Sequence, residues 1–162
     1  MRNLIEKTVN WEVIGPYDKS KYRFEIDRAV IHKATGELHI DITLNFIVPH
    51  IDSDRLKALL INKLDGISGV KFNYIYKDVI MEESDIIRMF IPHMIEIVNG
   101  EYTAITKTIE TDTYEYNGET LKIFALGKVA TEQLNLKVAV LFKGLLKEHF
   151  DIAANVKFIN NR

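Results

Sequence analysis

The stretch GELHIDITL at residues 36–44 decides the fold of this chain, because the chain repeats it in outline further on. It is a turn followed by strict alternation of apolar and polar residues, which is typical of a half-buried β-strand. An amphipathic segment and the triplet VKF at 70–72 come next, and the same order returns after Gly118 with a second VKF at 156–158. The Gly-Glu pairs lie 82 positions apart and the triplets 86. This repetition predicts two small β-β-α-β units in tandem.

We therefore expect an α+β protein that is divided into four parts. Residues 1–20 are predicted to form an N-terminal arm or lead-in strand, and residues 21–80 the first β-β-α-β domain. Residues 81–100 are predicted to form a bridging helix, and residues 101–162 the second β-β-α-β domain. A chain of 162 residues is long enough for two very small domains of this kind.

Local signals place the ends of the elements in the first domain. The alternation of the first strand shifts between Phe24 and Ile31, which indicates an irregularity there. Asp52 and Ser53 are both suitable N-cap residues for the helix that follows the second strand. Asp65-Gly66 is expected to end that helix.

The same signals place the elements of the second half. The bridging helix is predicted over roughly Glu83 to Val98, with a kink or break at Pro92 and a stop at Asn99-Gly100. Asn117-Gly118 predicts a tight hairpin turn. The 3.6-residue spacing of apolar residues then predicts one long helix from about Thr131 to His149.

Composition excludes several classes of protein. The formal net charge is −2, so neither half carries the excess of Lys and Arg that phosphate neutralisation favours. The absence of cysteine excludes disulfides, thiolate metal sites and cysteine nucleophiles. The first residues lack the apolar run of a secretory signal, and no stretch approaches the roughly 20 apolar residues of a membrane span. We expect a soluble, cytoplasmic protein without a membrane partner.

No group of residues in the sequence has the spacing of a catalytic, cofactor-binding or metal site. A metal site needs at least three convergent ligands, whereas the histidines are scattered: His32, His39, His50, His93 and His149. His39 shares a strand face with Asp41, but two ligands do not make a site. Two groups of acidic residues have structural explanations at a helix start and on an edge strand: Glu82, Glu83 and Asp85, and Glu110, Asp112 and Glu115.

Two features are compatible with single-stranded nucleic acid as an alternative ligand, although a helix stop with a turn is favoured for the first and packing for the second. Gly66-Ile67-Ser68-Gly69 matches the GxxG pattern of KH modules, although here it lies between a helix and a strand. Phe72, Tyr74 and Tyr76 alternate on one strand face and could stack on bases. Packing is favoured for these aromatic residues, since the nearest basic side chains are only Lys71 and Lys77.

Several strings in this chain resemble the N-terminal region of the PolC-type DNA polymerase III alpha subunit, the replicative polymerase of low-GC Gram-positive bacteria. The resemblance begins at IDRAVIHKA, residues 26–34, and continues through an aliphatic strand that ends at Pro49. It includes the acidic helix at 83–98 and the strand, helix and strand of 121–159. Met89-Phe90 stands where that family suggests a Tyr-Trp-like pair.

The resemblance implies two small domains with a truncated KH-like fold, each similar to the polymerase-binding domain of the clamp-loader tau subunit. It also implies a noncatalytic role in DNA replication, through contacts with replisome proteins or with the rest of the polymerase chain, and contact with DNA through that parent protein. The polymerase and 3'-5' exonuclease activities would lie downstream of residue 162, so the resemblance transfers no catalytic residue to this segment. The alternative remains a KH-like module that binds single-stranded nucleic acid.

Overall fold

The computed structural model describes residues 20–161, so the predicted arm at residues 1–20 lies almost wholly outside the described part. The chain divides into two compact units, one up to Met81 and one from Glu82 onward. Each unit contains a three-stranded sheet of its own. The protein is therefore an α+β protein built from two β-β-α-β units, as the internal repeat predicts. Among the described residues, no helix combines the length and apolarity needed to cross a membrane.

The first unit has the order strand, strand, helix, strand. Its elements are β1 (Phe24–His32), β2 (Glu37–Leu44), α1 (His50–Lys63) and β3 (Gly69–Tyr76). The central strand β2 pairs antiparallel with β1 and parallel with β3. Every second side chain of β2, beginning at Leu38, is buried. The period-2 pattern of the sequence thus corresponds to one apolar face of the sheet.

The predicted irregularity of the first strand is a β-bulge. Between Ile26 and Arg28 the register with β2 shifts by one residue, which leaves Asp27 without a direct partner. The hydroxyl of Thr43 donates a short hydrogen bond to the carboxylate of Asp27. The extra residue returns the apolar side chains of β1 to the inner face beyond the bulge.

The predicted N-cap of α1 is wrong. The helix begins at His50 after Pro49, and no side chain caps it. Asp52 and Ser53 lie inside the first turn and are buried, and their backbone N–H groups donate to the carbonyl of Pro49. Ser53 forms a hydrogen bond of 2.7 Å with the hydroxyl of Tyr74, so tertiary packing uses the side chain that the local pattern assigned to capping.

The second unit repeats the same sheet beneath three helices. Its elements are α2 (Glu83–Thr106), β4 (Ile109–Tyr116), β5 (Thr120–Ala125), α3 (Lys128–Lys137), α4 (Ala139–Phe150) and β6 (Asn155–Asn160). The strand β5 pairs antiparallel with β4 and parallel with β6. The predicted long helix is two helices that meet at Val138, which stays in the right-handed helical region but at a φ of −103°. The helix that was predicted as a bridge belongs to this unit.

The strand ladders refine the internal repeat. Val70 pairs with Leu38 in the first unit, and Val156 pairs with Leu121 in the second, so the VKF triplets occupy equivalent places. The equivalent central residues lie 83 positions apart, and not the 82 that separate the Gly-Glu pairs. The similarity of the Gly-Glu pairs is therefore displaced by one residue from the structural repeat.

The predicted stop of the bridging helix at Asn99-Gly100 lies two residues before a kink at Tyr102, where two helical segments meet. The helix α2 runs through Pro92 and Gly100 to Thr106, and its only residue with non-helical angles is Tyr102, at φ −122° and ψ 32°. Thr106 donates a hydrogen bond of 2.7 Å to the side-chain oxygen of Asn99, and Thr103 donates to its carbonyl. The bond from Thr103 to the carbonyl four residues earlier is of the kind that bends helices, which accounts for a kink close to the predicted stop.

Gly36 should be required by the turn between β1 and β2. Its φ of +76° is unfavourable for other residues, and an added Cβ would lie 3.1 Å from Oγ of Ser68. We expect Gly36→Ala to lower the free energy of unfolding by about 1–2 kcal/mol, measured by urea denaturation. Gly69→Ala is the matched control, since its Cβ would meet only ordinary contacts at 3.9 Å. Equal stability of the two variants would contradict this account of the turn.

Tyr116 should make the second unit sensitive to alkaline pH. Its hydroxyl donates a hydrogen bond of 2.6 Å to Oε1 of Glu83, and burial, followed by this carboxylate, raises the pKa of Tyr116 from 10.0 to about 12. Because the pKa is raised in the folded state, the stabilisation is fully present below pH 10 and is lost as pH rises toward 12. Ultraviolet titration of tyrosinate should show several late-ionising groups, since the pKa values of Tyr76 and Tyr102 are raised too, and Tyr116→Phe should remove one of them. Loss of an early-ionising group instead would refute the assignment.

Candidate docking groove

An apolar groove lies between α2 and α4 in the second unit. Its volume is about 400 Å³. The residues that line it come from the second half of α2 and from α4: Ile97, Val98, Glu101, Tyr102, Val140, Leu141, Gly144, Leu145 and Glu148. Seven of these nine side chains are not charged, and the other two are carboxylates. The groove therefore has an apolar lining with acidic groups and no basic group.

Two rows of side chains from α2 form one wall. Ile97 and Glu101 are four residues apart, as are Val98 and Tyr102, so each pair lies on one face of the helix. Ile97 is 56% exposed, whereas Val98 is buried. The non-helical backbone of Tyr102 falls at this wall. The kink in α2 thus coincides with the groove.

The other wall comes from α4 and contains a gap. Val140, Gly144 and Glu148 follow one another at intervals of four residues, and Leu141 and Leu145 form the adjacent row. Val140 is 65% exposed. A Cβ added to Gly144 would meet no atom within 4 Å. Gly144 therefore leaves a notch between two larger side chains in the middle of the wall.

The opposite face of the α3–α4 segment explains why these residues remain outside the core. Leu134, Val138, Phe142 and Leu146 recur every four residues and are fully buried. The ring of Phe142 lies 5.5 Å from that of Phe158 in β6. The segment thus covers the sheet with one apolar stripe, and a second apolar stripe of Val140, Leu141 and Leu145 lines the groove.

The two carboxylates of the groove form no salt bridge among residues 20–161. Glu101 and Glu148 are both exposed. Burial, followed by the charge and hydrogen bond of Glu101, raises the pKa of Tyr102. The groove accordingly combines apolar surface with two exposed carboxylates and has no basic residue in its lining.

The groove residues were missed from the sequence because a single apolar stripe explained the helix. The 3.6-residue spacing includes Leu141 and Leu145 in the same stripe as the buried residues and does not include Val140. An available signal was the width of the apolar arc, since Val140, Leu141 and Leu145 add a second row to the buried one. A helix that covers only a sheet does not need this second row.

The histidines occupy different environments in the two units. In the first unit the rings of His32 and His39 stack at 3.9 Å, and Nε2 of His39 lies 3.6 Å from Oε1 of Glu37. Asp41 accepts a hydrogen bond from Asn73 instead of approaching His39.

Other histidines have helical neighbours. His50 lies 3.6 Å from Asp54 in α1. His93 in α2 is buried beside Phe90. His149 contacts the edge of the Phe90 ring, at 5.7 Å between ring centres.

The two acidic groups lie where the sequence placed them. Glu82 precedes α2, and Glu83 and Asp85 lie in its first turn, where Asp85 pairs with Arg88 at 3.3 Å. Glu110, Asp112 and Glu115 lie on β4, which is an edge strand. The carboxylate of Glu110 accepts a hydrogen bond of 3.0 Å from Asn161. These contacts give both groups structural roles.

The two features that are compatible with nucleic acid are used in packing. Phe72, Tyr74 and Tyr76 are partly buried against the core of the first unit, as the sequence favoured. The turn at Gly66–Gly69 is fixed to the hairpin, because the N–H of Ser68 donates to the carbonyl of Gly36 at 3.0 Å. The aromatic side chains and this backbone N–H therefore contribute to the packing of the first unit.

Comparison with protein-family models, with curated proteins and with solved structures finds no match to this chain.

Gly144 should be unnecessary for folding. Glycine in a helix interior is less favourable than alanine by roughly 0.5–1 kcal/mol, and the space above Gly144 is open. We expect Gly144→Ala to raise the free energy of unfolding by about that amount in urea denaturation. Gly118→Ala, at φ +92° in the hairpin turn, should have the opposite sign. Destabilisation by Gly144→Ala would show that the fold itself needs this glycine.

Proposed function

We propose that this chain is a noncatalytic docking region of a PolC-type replicative DNA polymerase, and that the groove between α2 and α4 is its docking site. The observation that carries the proposal is an apolar groove within one compact unit, lined mainly by side chains that are not buried in the core. The resemblance of the sequence to the N-terminal region of that polymerase supplies the context. The partners are replisome proteins or the remainder of the polymerase chain, and the location that this implies is the cytoplasm.

The composition of the groove supports protein docking over catalysis. Enzyme active sites rely on titratable groups that are paired or desolvated so that their pKa values suit the reaction. Here the two carboxylates are exposed and lie on helix surfaces, and the remaining lining is mainly aliphatic. Apolar side chains that are exposed together are typical of surfaces that bind another protein.

The runner-up is binding of single-stranded nucleic acid by a KH-like surface. Lys122 and Lys157 are neighbours on β5 and β6 and are both exposed, which supplies one basic pair on the open face of the second sheet. Glu115 lies directly opposite Lys122 on the other side. The local charge is therefore mixed, and docking through the groove is the function we favour.

The proposal is tested by affinity measurement between the full chain and the purified replisome subunits, including the polymerase body and the tau subunit. Val140→Asp places a charge in the groove and should weaken binding about tenfold or more, which corresponds to about 1.4 kcal/mol. Val129→Asp is the matched control, since Val129 is 73% exposed on α3 and does not line the groove. Equal effects of the two substitutions, or no binding at micromolar concentration, would contradict docking through this groove. Tight binding of single-stranded DNA with steep salt dependence would favour the runner-up.

A further inference from the structure

We infer that the occupant of the groove is an amphipathic helix of a partner protein, with basic residues at both ends of its apolar stripe. This inference rests on the proposed function, because it names the kind of partner that the same groove takes. The groove supplies three observations: two parallel rows of side chains on each wall, the notch at Gly144, and the carboxylates of Glu101 and Glu148.

The shape of the groove suits a helix. Helices pack when a ridge of side chains spaced by four residues enters the gap between ridges of its neighbour. The row formed by Val140, Gly144 and Glu148 is such a ridge with its middle side chain missing. A large apolar side chain of an incoming helix can therefore approach the backbone of α4 at Gly144, because no atom lies within 4 Å of the Cβ position there.

The positions of the two carboxylates set the charge pattern of the partner. Phe90, early in α2, contacts Phe150 at the end of α4, at 4.8 Å between ring centres. Residue numbers thus rise along α2 as they fall along α4, which places Glu101 and Glu148 at opposite ends of the groove. Val140 and Glu148 are separated by about two helical turns, or about 12 Å. A partner helix is therefore expected to carry Lys or Arg at i and i+7, with large apolar residues at i+3 and i+4.

The charge of the groove argues against other occupants. Nucleic acid and anionic lipid would bring negative groups against Glu101 and Glu148, with no basic lining residue to offset them. In a two-fold dimer each copy presents the same patch. A second copy would then place carboxylates against a groove that also contains only carboxylates as charged groups. A basic helix is the occupant that complements this surface.

The test selects helices from a display library against the full chain. Members are amphipathic helices of about 14 residues, or about four turns, with a constant apolar stripe and flanking positions randomised among basic, acidic and neutral residues. We expect the unmodified chain to enrich Lys and Arg at both flanks. The double variant Glu101→Lys/Glu148→Lys should enrich Glu and Asp instead. Glu132→Lys is the matched control, an exposed α3 carboxylate outside the groove, and it should select as the unmodified chain does.

A second variant tests the notch. Leucine is a better helix former than glycine, so Gly144→Leu should fold while filling the gap, and it should weaken a selected helix about tenfold or more. Three outcomes would overturn the inference. The chain could select helices without any charge preference at the flanks, it could bind no helix from the library, or a selected helix could bind Gly144→Leu as tightly as the unmodified chain. Self-association of the chain in sedimentation experiments that Val140→Asp abolishes would overturn it in favour of a second copy.

These outcomes separate the inference from the proposed function. If replisome subunits bind in a Val140-dependent manner while basic helices are not selected, the docking role stands and the partner class is wrong. If basic helices are selected with the expected flanks while no replisome subunit binds, the partner class stands and the replisome assignment is wrong.

Discussion

The parallel pairing of the central strand with the last strand is the constraint on which the rest of each unit depends. A parallel pair cannot be joined by a tight turn, so the chain must cross over the sheet between the two strands. In both units the crossover is helical and covers one face of the sheet. The apolar residues of β2 and β5 are buried beneath these helices. The alternation that opens the repeat is therefore a direct consequence of covering the sheet on one side only.

The groove follows from the way the second unit meets this constraint. Its crossover consists of α3 and α4, and the buried stripe on this segment already fills the space above the sheet. The helix α2 packs beside this layer, where Phe90 contacts the end of α4. The second stripe of α4 then lies next to α2 and away from the sheet. The exposed apolar surface therefore results from packing α2 beside α3 and α4, because the sheet is already covered by the buried stripe of the α3–α4 segment.

The strands and turns were predictable because their signals are local. Alternation located β2, and the glycines at 36 and 118 mark turns with positive φ. The ends of the helices were less predictable, because distant side chains decide them. Asn99-Gly100 has the local sequence of a helix stop, but the side chain of Asn99 accepts a hydrogen bond from Thr106, seven residues further along α2. Ser53 has the local sequence position of an N-cap, but its hydroxyl forms a hydrogen bond with the hydroxyl of Tyr74 in β3. The groove could not be located from the sequence, since it depends on which helix lies beside α4.

The repeat and the candidate site lie in different parts of the structure, and this separation bears on function. The central strands are offset by 83 positions and the last strands by 86, so the sheets match while the second crossover is three residues longer. In the first unit the crossover begins with a non-helical stretch at 45–49. In the second unit the helix α3 begins directly after Gly127. The groove wall at 140–148 lies in the crossover, where the two units differ. The duplicated strands therefore explain the fold, whereas the groove depends on the helices in which the two units differ.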